Sequence, residues 1–348
     1  MGPKPLVIAW LTSYYHWVKI LILGGGGMIG QKLIAYFVNN PKLGNDSIEQ
    51  VLLVDAFIEP KIPGSATFAI NSEIADITNQ ETCARLIKER PEVIFHLAAI
   101  VSGEAESDFE KGYRVNLDGT RNLFEAIRSI PNYCPRVVYT STAAVYGGPY
   151  PDNTTDDFIL QPTTSYGTQK AIGELLLNDY SRRGFLDGIG LRLPTICVRP
   201  GKPNAAASGV FSNIIREPLV GIETTLSVSK NVSMIFASPK SAVGFLVHAA
   251  QLDTSLLGDR RSMTMPGVHA TIGDEIDALR RVAGEKVLSY IKENHDAFAQ
   301  KMVDAWNFPA FPATRARSLG FTCEKTFDEL IQLHIETELD GKIPGQNA

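Results

Sequence analysis

Tyr166 and Lys170 stand four residues apart in Ser165-Tyr-Gly-Thr-Gln-Lys170, within a stretch from Ser165 to Arg183 whose pattern predicts a helix. That spacing puts both side chains on one face, one turn apart. A free phenol ionises near pH ~10 and is a poor base at neutral pH. An ammonium beside it favours the phenolate. The pair is therefore a base able to take a proton from a carbinol while a hydride leaves for a nicotinamide. A third group must bond the substrate oxygen and fix its distance from the phenol. Thr142 is the first candidate and Ser141 the second, because both follow the strand-like run from Arg136 to Thr140. Lys170 is also expected to hold the nicotinamide ribose. Alone, a Y-x-x-x-K pair arises often by chance on an amphipathic helix, so its weight depends on the elements that position it.

The first of these is Val18 to Gly30, VKILILGGGGMIG, a short apolar strand entering a glycine-dense turn with helical residues beyond. Gly24, Gly27 and Gly30 give G-x-x-G-x-x-G, with Met28 and Ile29 between the last two. A strand turning sharply into a helix aims free N–H groups and the positive end of the helix dipole at one point, where a pyrophosphate can sit. Asp55 closes the next apolar run, VLLVD. An acid there accepts from the adenosine ribose hydroxyls and repels a 2′-phosphate, which favours NAD over NADP. A Walker-type phosphate loop is excluded, since Gln31-Lys32 stands where Lys-Ser/Thr is required.

Asp76, before Ile77, is placed to read an adenine amino group or, equally, to cap the helix from Glu81 to Glu89. The strand from Val93 to Leu97 runs into Ala98-Ala99, small residues against which a cofactor can lie. His96 reads as a packed core side chain. A long helix is expected from Asp108 to Ile130, with Asn116 and Gly119 on an otherwise apolar face. Glycine there costs about 1 kcal/mol relative to alanine, so close packing or a site requirement should offset it.

Strands and helices alternate to about residue 193, which implies an α/β fold with a Rossmann-type, doubly wound parallel sheet. The rhythm then breaks, and isolated helices (Phe211 to Ile215, Ser241 to Gln251, Gly273 to Val282, Phe327 to Thr337) suggest a smaller C-terminal substrate-binding lid. The expected division is an N-terminal extension at 1–17, expected to be disordered, a dinucleotide-binding domain at 18–194, a mainly substrate-binding domain at 195–340 and a tail at 341–348.

Net charge is −5, which gives no electrostatic case for nucleic acid or an anionic membrane. Cys83, Cys134, Cys197 and Cys323 are scattered without a C-x-x-C, as expected of reduced thiols in a cytoplasmic protein, and no metal site is anticipated. No apolar run approaches the roughly 20 residues of a membrane span.

These motifs, in this order, resemble the extended short-chain dehydrogenases/reductases, the NAD-dependent epimerase/dehydratase superfamily. The glycine trio, Asp55, Asp76-Ile77, His96-Leu-Ala-Ala99, Asn116, the segment from Ser141 to Gly147 and Y-x-x-x-K carry the likeness. The runs from Phe95 to Glu106, Ser165 to Lys170 and Leu191 to Gly209 are similar to the D-erythronate dehydrogenase family within it. The resemblance covers about Val18 to Leu339. It implies oxidation of C2 of a four-carbon sugar acid with NAD, to a 2-oxo-tetronate. It implies a cofactor site of Gly24, Gly27, Met28, Ile29, Gly30, Asp55, Asp76, Ile77, Leu97, Ala98, Ala99, Asn116, Tyr166, Lys170 and Pro194. Thr142 stands where the commonest pattern has serine; it offers the same donor and acceptor.

An acid substrate wants an arginine or several N–H donors. Arg199, Lys202 and Arg216 lie in or near the loop after the nicotinamide-side strand. Arg199 is the clamp expected here, with Ser102, Asn204 and Ser208 for sugar hydroxyls; Glu104 and Glu106 read as solvent-facing or as hydroxyl acceptors. A nucleotide-sugar epimerase or dehydratase of the same fold is the alternative, because the same tyrosine, lysine and hydroxyl serve it. A homodimer by four-helix packing is implied, through outer faces that include Leu123, Ile127, Leu176 and Leu177.

Overall fold

Alternating apolar residues in WVKILIL bury both faces of the strand Trp17–Leu23. Val18, Ile20 and Ile22 meet Leu33, Ile34 and Phe37 of the helix Met28–Asn39 on one face. Leu21 and Leu23 meet Leu86, Leu123, Phe124, Ile127 and Leu177 on the other. A strand buried on both sides belongs inside a parallel sheet with helices above and below. The computed structural model, which describes residues 17–151, 154–201, 208–304 and 308–346, has that architecture. The expected N-terminal extension lies outside the described residues apart from Trp17.

The main sheet runs, edge to edge, Ser262–Thr264, Asp187–Leu193, Arg136–Thr142, Val93–His96, Trp17–Leu23, Asp46–Asp55 and Ala69–Ile74, all parallel. The two-residue strand Lys42–Leu43 adds antiparallel to Asp46–Asp55. The order reverses between Trp17–Leu23 and Val93–His96, so a crevice opens outside the carboxyl ends of those strands, where doubly wound sheets bind ligands. A smaller sheet joins Val268–Thr271, Ser233–Ala237 and Thr195–Ile196 beside this edge. Strand Ser262–Thr264 comes from the carboxyl portion yet pairs in the main sheet.

Two expectations are corrected. The single helix from Asp108 to Ile130 is a succession: Ser102–Ser107, Phe109–Gly112, a wide turn at Tyr113–Asp118 and Gly119–Arg128. Asp108 accepts from Lys111 N at 3.0 Å and so starts a new helix. A Cβ at Gly119 would stand 2.9 Å from Ile77 Cγ1, which is the close packing that offsets its poor helix propensity. The second correction concerns association. Leu123, Ile127 and Leu177 are fully buried against the sheet and Leu176 is partly buried beside them, so these leucines and isoleucine cannot form an outer face. An α/β helix must turn its apolar stripe to the sheet; Leu175, one residue round, points outward and is 62% exposed.

Glu275, on the helix Ile272–Ala283, is fully buried, and neither carboxylate oxygen has a hydrogen-bond partner among the described residues. Burial, with the charge of Asp274, pushes its carboxyl well above the usual range. Its folded pKa thus exceeds the unfolded one, so stability is intact below the unfolded pKa and falls as pH rises above it, by up to ~1.4 kcal/mol per pH unit. Glu275→Met is expected to raise the unfolding temperature, and to do so more at pH 8 than at pH 5. An equal or opposite change at the two values would show that Glu275 is accommodated charged.

Among the described residues no helix is long and apolar enough to cross a membrane, and no cluster of three His, Cys, Asp or Glu could hold a metal.

Candidate active site

The glycine turn is shaped by what surrounds it. Gly24 has φ +85°, and its N–H and that of Gly25 donate to Val54 O at 2.8 and 2.9 Å. A Cβ at Gly24 would stand 2.8 Å from Ala98 N, and one at Gly30 2.4 Å from Gly24 O, so neither position accepts a side chain. At Gly27 the nearest neighbour is Gly24 O at 3.4 Å: the space beyond it is open. Gly27 caps the helix Met28–Asn39 without a side chain, which leaves the first-turn N–H groups at Met28 and Ile29 without intrahelical partners. An open approach, free amides and a positive helix end fit a pyrophosphate.

Asp55 Oδ2 accepts from Gly26 N at 3.1 Å, and Oδ1 from Phe57 N and Ile58 N at 3.0 and 3.1 Å. The carboxylate at the strand's end therefore braces the turn. Asp55→Ala is expected to weaken NAD binding roughly tenfold, as for loss of charge-assisted hydrogen bonds, and to narrow the preference over NADP. An unchanged NAD/NADP ratio in titrations would leave Asp55 a bracing role only. Asp76 Oδ1 accepts from Thr78 N at 2.8 Å, while Asn79 caps the helix Gln80–Lys88 through Thr82 N. The cap expected of Asp76 is thus supplied by Asn79. Leu97, Ala98 and Ala99 are half-buried at the carboxyl end of Val93–His96, and Pro194 follows Asp187–Leu193.

Asn116 lies 1% exposed in the wide turn. Its Oδ1 accepts from Ile100 N at 2.7 Å, and Nδ2 donates to Ile100 O at 3.0 Å and Gln169 Oε1 at 2.7 Å. The amide is committed to fixing the chain after Val93–His96 to the helix Ser165–Arg182. Ile100, Ala105 and Val115 pack against Tyr166, so this clamp positions the phenol. Glu106 Oε2 accepts from Ser165 N at 2.9 Å at that helix's start, and Glu104 pairs with Lys111 at 2.6 Å. Neither acid reads as a substrate ligand. Ser102 is half-buried and opens the helix Ser102–Ser107.

Tyr166 is half-buried at the first turn of Ser165–Arg182. Burial pushes its phenol up to about 12, and the Arg199 guanidinium opposes this. Lys170 is 1% exposed; Nζ donates to Thr140 O at 2.9 Å, lies 4.8 Å from the Tyr139 ring centre and 6.0 Å from that of Tyr166. Burial brings its ammonium down to about 7, with Glu174 opposing. The Lys170 ammonium donates to a backbone carbonyl, and the Arg199 charge opposes the rise that burial imposes on the phenol. Thr142, the last residue of Arg136–Thr142, is half-buried, and its Oγ1 accepts from Ala144 N at 3.2 Å. Ser141 points the other way, since strand neighbours face opposite sides. Its Oγ donates to Glu174 Oε1 at 2.5 Å, 3% exposed, so it belongs to a buried ion-pair network.

Arg199 is drawn into the site from the loop after Thr195–Ile196. Its Nε donates to Ile196 O at 3.0 Å and Nη2 to Ser208 Oγ at 2.6 Å, and its N–H donates to Ser212 Oγ at 3.1 Å. Arg216 Nη1 donates to Arg199 O at 2.8 Å. Burial pulls the Arg199 pKa below its ordinary value. Lys202 and Asn204 lie outside the described residues. Sequence reasoning missed Glu174, although its place four residues beyond Lys170 was a usable signal, and missed its partner Arg192.

The model of the NAD dependent epimerase/dehydratase family matches residues 20–251. The D-erythronate dehydrogenase of Cupriavidus necator is 42% identical over 92% of this chain and 98% of its own. That of Haemophilus influenzae is 38% identical over 92% of this chain and 100% of its own. The crystal structure described as the nucleoside-diphosphate-sugar epimerase from Agrobacterium tumefaciens superposes with a TM-score of 0.91 at 52% identity, covering 99% of this chain and 98% of that one.

Proposed function

From a chain that belongs to the NAD dependent epimerase/dehydratase family and is an oxidoreductase acting on CH–OH groups, we propose an NAD-dependent oxidation at C2 of a small sugar acid, D-erythronate to 2-oxo-tetronate. The observation that carries the choice of an acid is Arg199. Among the described residues it has no carboxylate partner, although it is half-buried and its charge acts on Tyr166. An arginine withdrawn from solvent without a counter-charge is costly unless a ligand supplies one. A sugar-acid carboxylate does so, with bidentate geometry.

When bound, NAD supplies the hydride acceptor. The glycine turn and the Met28 and Ile29 amides would hold its pyrophosphate, Asp55 its adenosine ribose, and Lys170 its nicotinamide ribose. Arg199 holds the substrate carboxylate, with Ser208 and Ser102 near the sugar hydroxyls. Thr142 Oγ1 bonds the C2 oxygen. Tyr166 Oη takes the C2 hydroxyl proton as the C2 hydrogen departs with its electron pair, leaving a carbonyl. The Arg199 and Lys170 charges are the groups available to favour the phenolate against burial.

The Agrobacterium likeness keeps a second reading, an epimerase that holds NAD and acts on a nucleoside-diphosphate sugar. A diphosphate carries two charges to be met. Arg216 is already engaged by Glu217 at 2.6 Å and by Asn213 at 2.7 Å, which leaves Arg199 as the cation at hand among the described residues. The deciding experiment is a screen of four-carbon sugar acids and UDP-sugars with NAD, following NADH absorbance. Net NADH from D-erythronate supports the dehydrogenase; interconversion of a UDP-sugar without net NADH replaces it by the epimerase.

A further inference from the structure

We propose that Glu174 is a positioning residue for the reaction: its carboxylate, one helical turn beyond Lys170, keeps that lysine a cation inside a site that excludes water. The proposal rests on the reading that Lys170 works as an ammonium. Tyr166, Lys170 and Glu174 follow one another at intervals of four on Ser165–Arg182, so they share one face.

The carboxylate is locked. It is 3% exposed and accepts from Ser141 Oγ at 2.5 Å, from Arg192 Nε at 3.0 Å and from Arg192 Nη2 at 2.8 Å. Arg192 Nη1 donates to Tyr146 Oη at 2.5 Å, and that hydroxyl lies 3.0 Å from Thr264 Oγ1. Asp156 is 3.6 Å from Arg192 and accepts from Thr264 N at 2.7 Å. The network thus ties the catalytic helix to the three strands Arg136–Thr142, Asp187–Leu193 and Ser262–Thr264. Those strands set the Thr140 carbonyl that Lys170 donates to, the Thr142 hydroxyl and the turn at Pro194.

Around Lys170, the neighbours from every packed element are the Thr140 carbonyl and Tyr139 ring on one strand, His96 on the next, and Tyr166 and Glu174 on its own helix. His96 is held neutral, pushed down to about 3 by burial and by the Lys170 charge. Tyr139 is likewise held protonated by burial. Arg192, across Glu174, is the one other cation in the network among the described residues. Glu174 is therefore the carboxylate that can offset the cost of burying this ammonium, which burial alone drives toward neutrality. The bond to Thr140 O fixes where Nζ sits; Glu174 decides whether it is charged there.

The test is the pH dependence of kcat/KM, and of NADH affinity followed by NADH fluorescence, in the full-length enzyme. Lys170→Met first identifies the break that belongs to Lys170, because that break should vanish from both profiles. If it persists, the reading of Lys170 as a working ammonium fails, separately from the role of Glu174. Glu174→Gln is then expected to move the same break toward acid by about half a pH unit or more. Glu174→Asp, which keeps the charge but withdraws it by one methylene, should move it the same way by less, and stands in if the glutamine variant does not fold. A uniform loss at all pH values with the break unmoved in both variants would overturn the proposal, since a purely structural prop lowers activity without retitrating Lys170.

Discussion

Tyr166→Phe is expected to lower turnover of D-erythronate by roughly 10²- to 10⁴-fold, the usual worth of a positioned acid–base group, while NAD affinity changes little. The ring packs against Ile100, Ala105 and Val115, and the phenyl keeps those contacts. What it loses is Oη alone. The prediction is sharp because the tyrosine is not needed to build the pocket: Asn116 fixes Ile100, and Glu106 caps the helix at Ser165. NADH production and NADH fluorescence titration check the two halves. Wild-type turnover in the variant would remove the phenol from the mechanism, and with it the order of events at C2.

Arg199→Met should lower kcat/KM for the sugar acid by roughly 10- to 100-fold, the loss expected for hydrogen bonds to a charged group. Most of the effect is expected in KM, because a guanidinium on the carboxylate, remote from C2, would bind ground state and transition state alike. A part should appear in kcat, because Arg199 is also the charge that opposes the rise of the Tyr166 pKa. Rates on an uncharged four-carbon polyol should therefore fall much less than those on the acid. Thermal stability should hold or rise, since the replacement removes a desolvated cation that has no acidic partner among the described residues. Acid and polyol losing activity equally would place the carboxylate elsewhere and leave Arg199 to the phenol.

The sequence by itself determined the sheet, the glycine turn and the shared helix face of Tyr166 and Lys170. Each depends on short-range stereochemistry. Alternating apolar residues fix a strand's two faces, glycine is the residue that fits where a Cβ would meet Ala98 N or Gly24 O, and an i, i+4 spacing fixes a helix face. The sugar-acid family was legible for the same reason, because its signature lies in contiguous runs. Tertiary structure alone decided how two adjacent hydroxyls are engaged. Ser141 and Thr142 are equivalent in the chain, but the pleat turns Ser141 to the buried Glu174 carboxylate, while Thr142 accepts from Ala144 N. It also decided the phase of the helices, which buried Leu123, Ile127 and Leu177 against the sheet, and it divided the expected helix from Asp108 at the wide turn that Asn116 uses to hold Ile100. Above all it set the electrostatics around Tyr166. Proximity along a helix suggested that Lys170 charges Tyr166; burial raises the phenol and lowers the ammonium, and the charge that opposes the former comes from Arg199, on a loop that no local pattern joins to this helix.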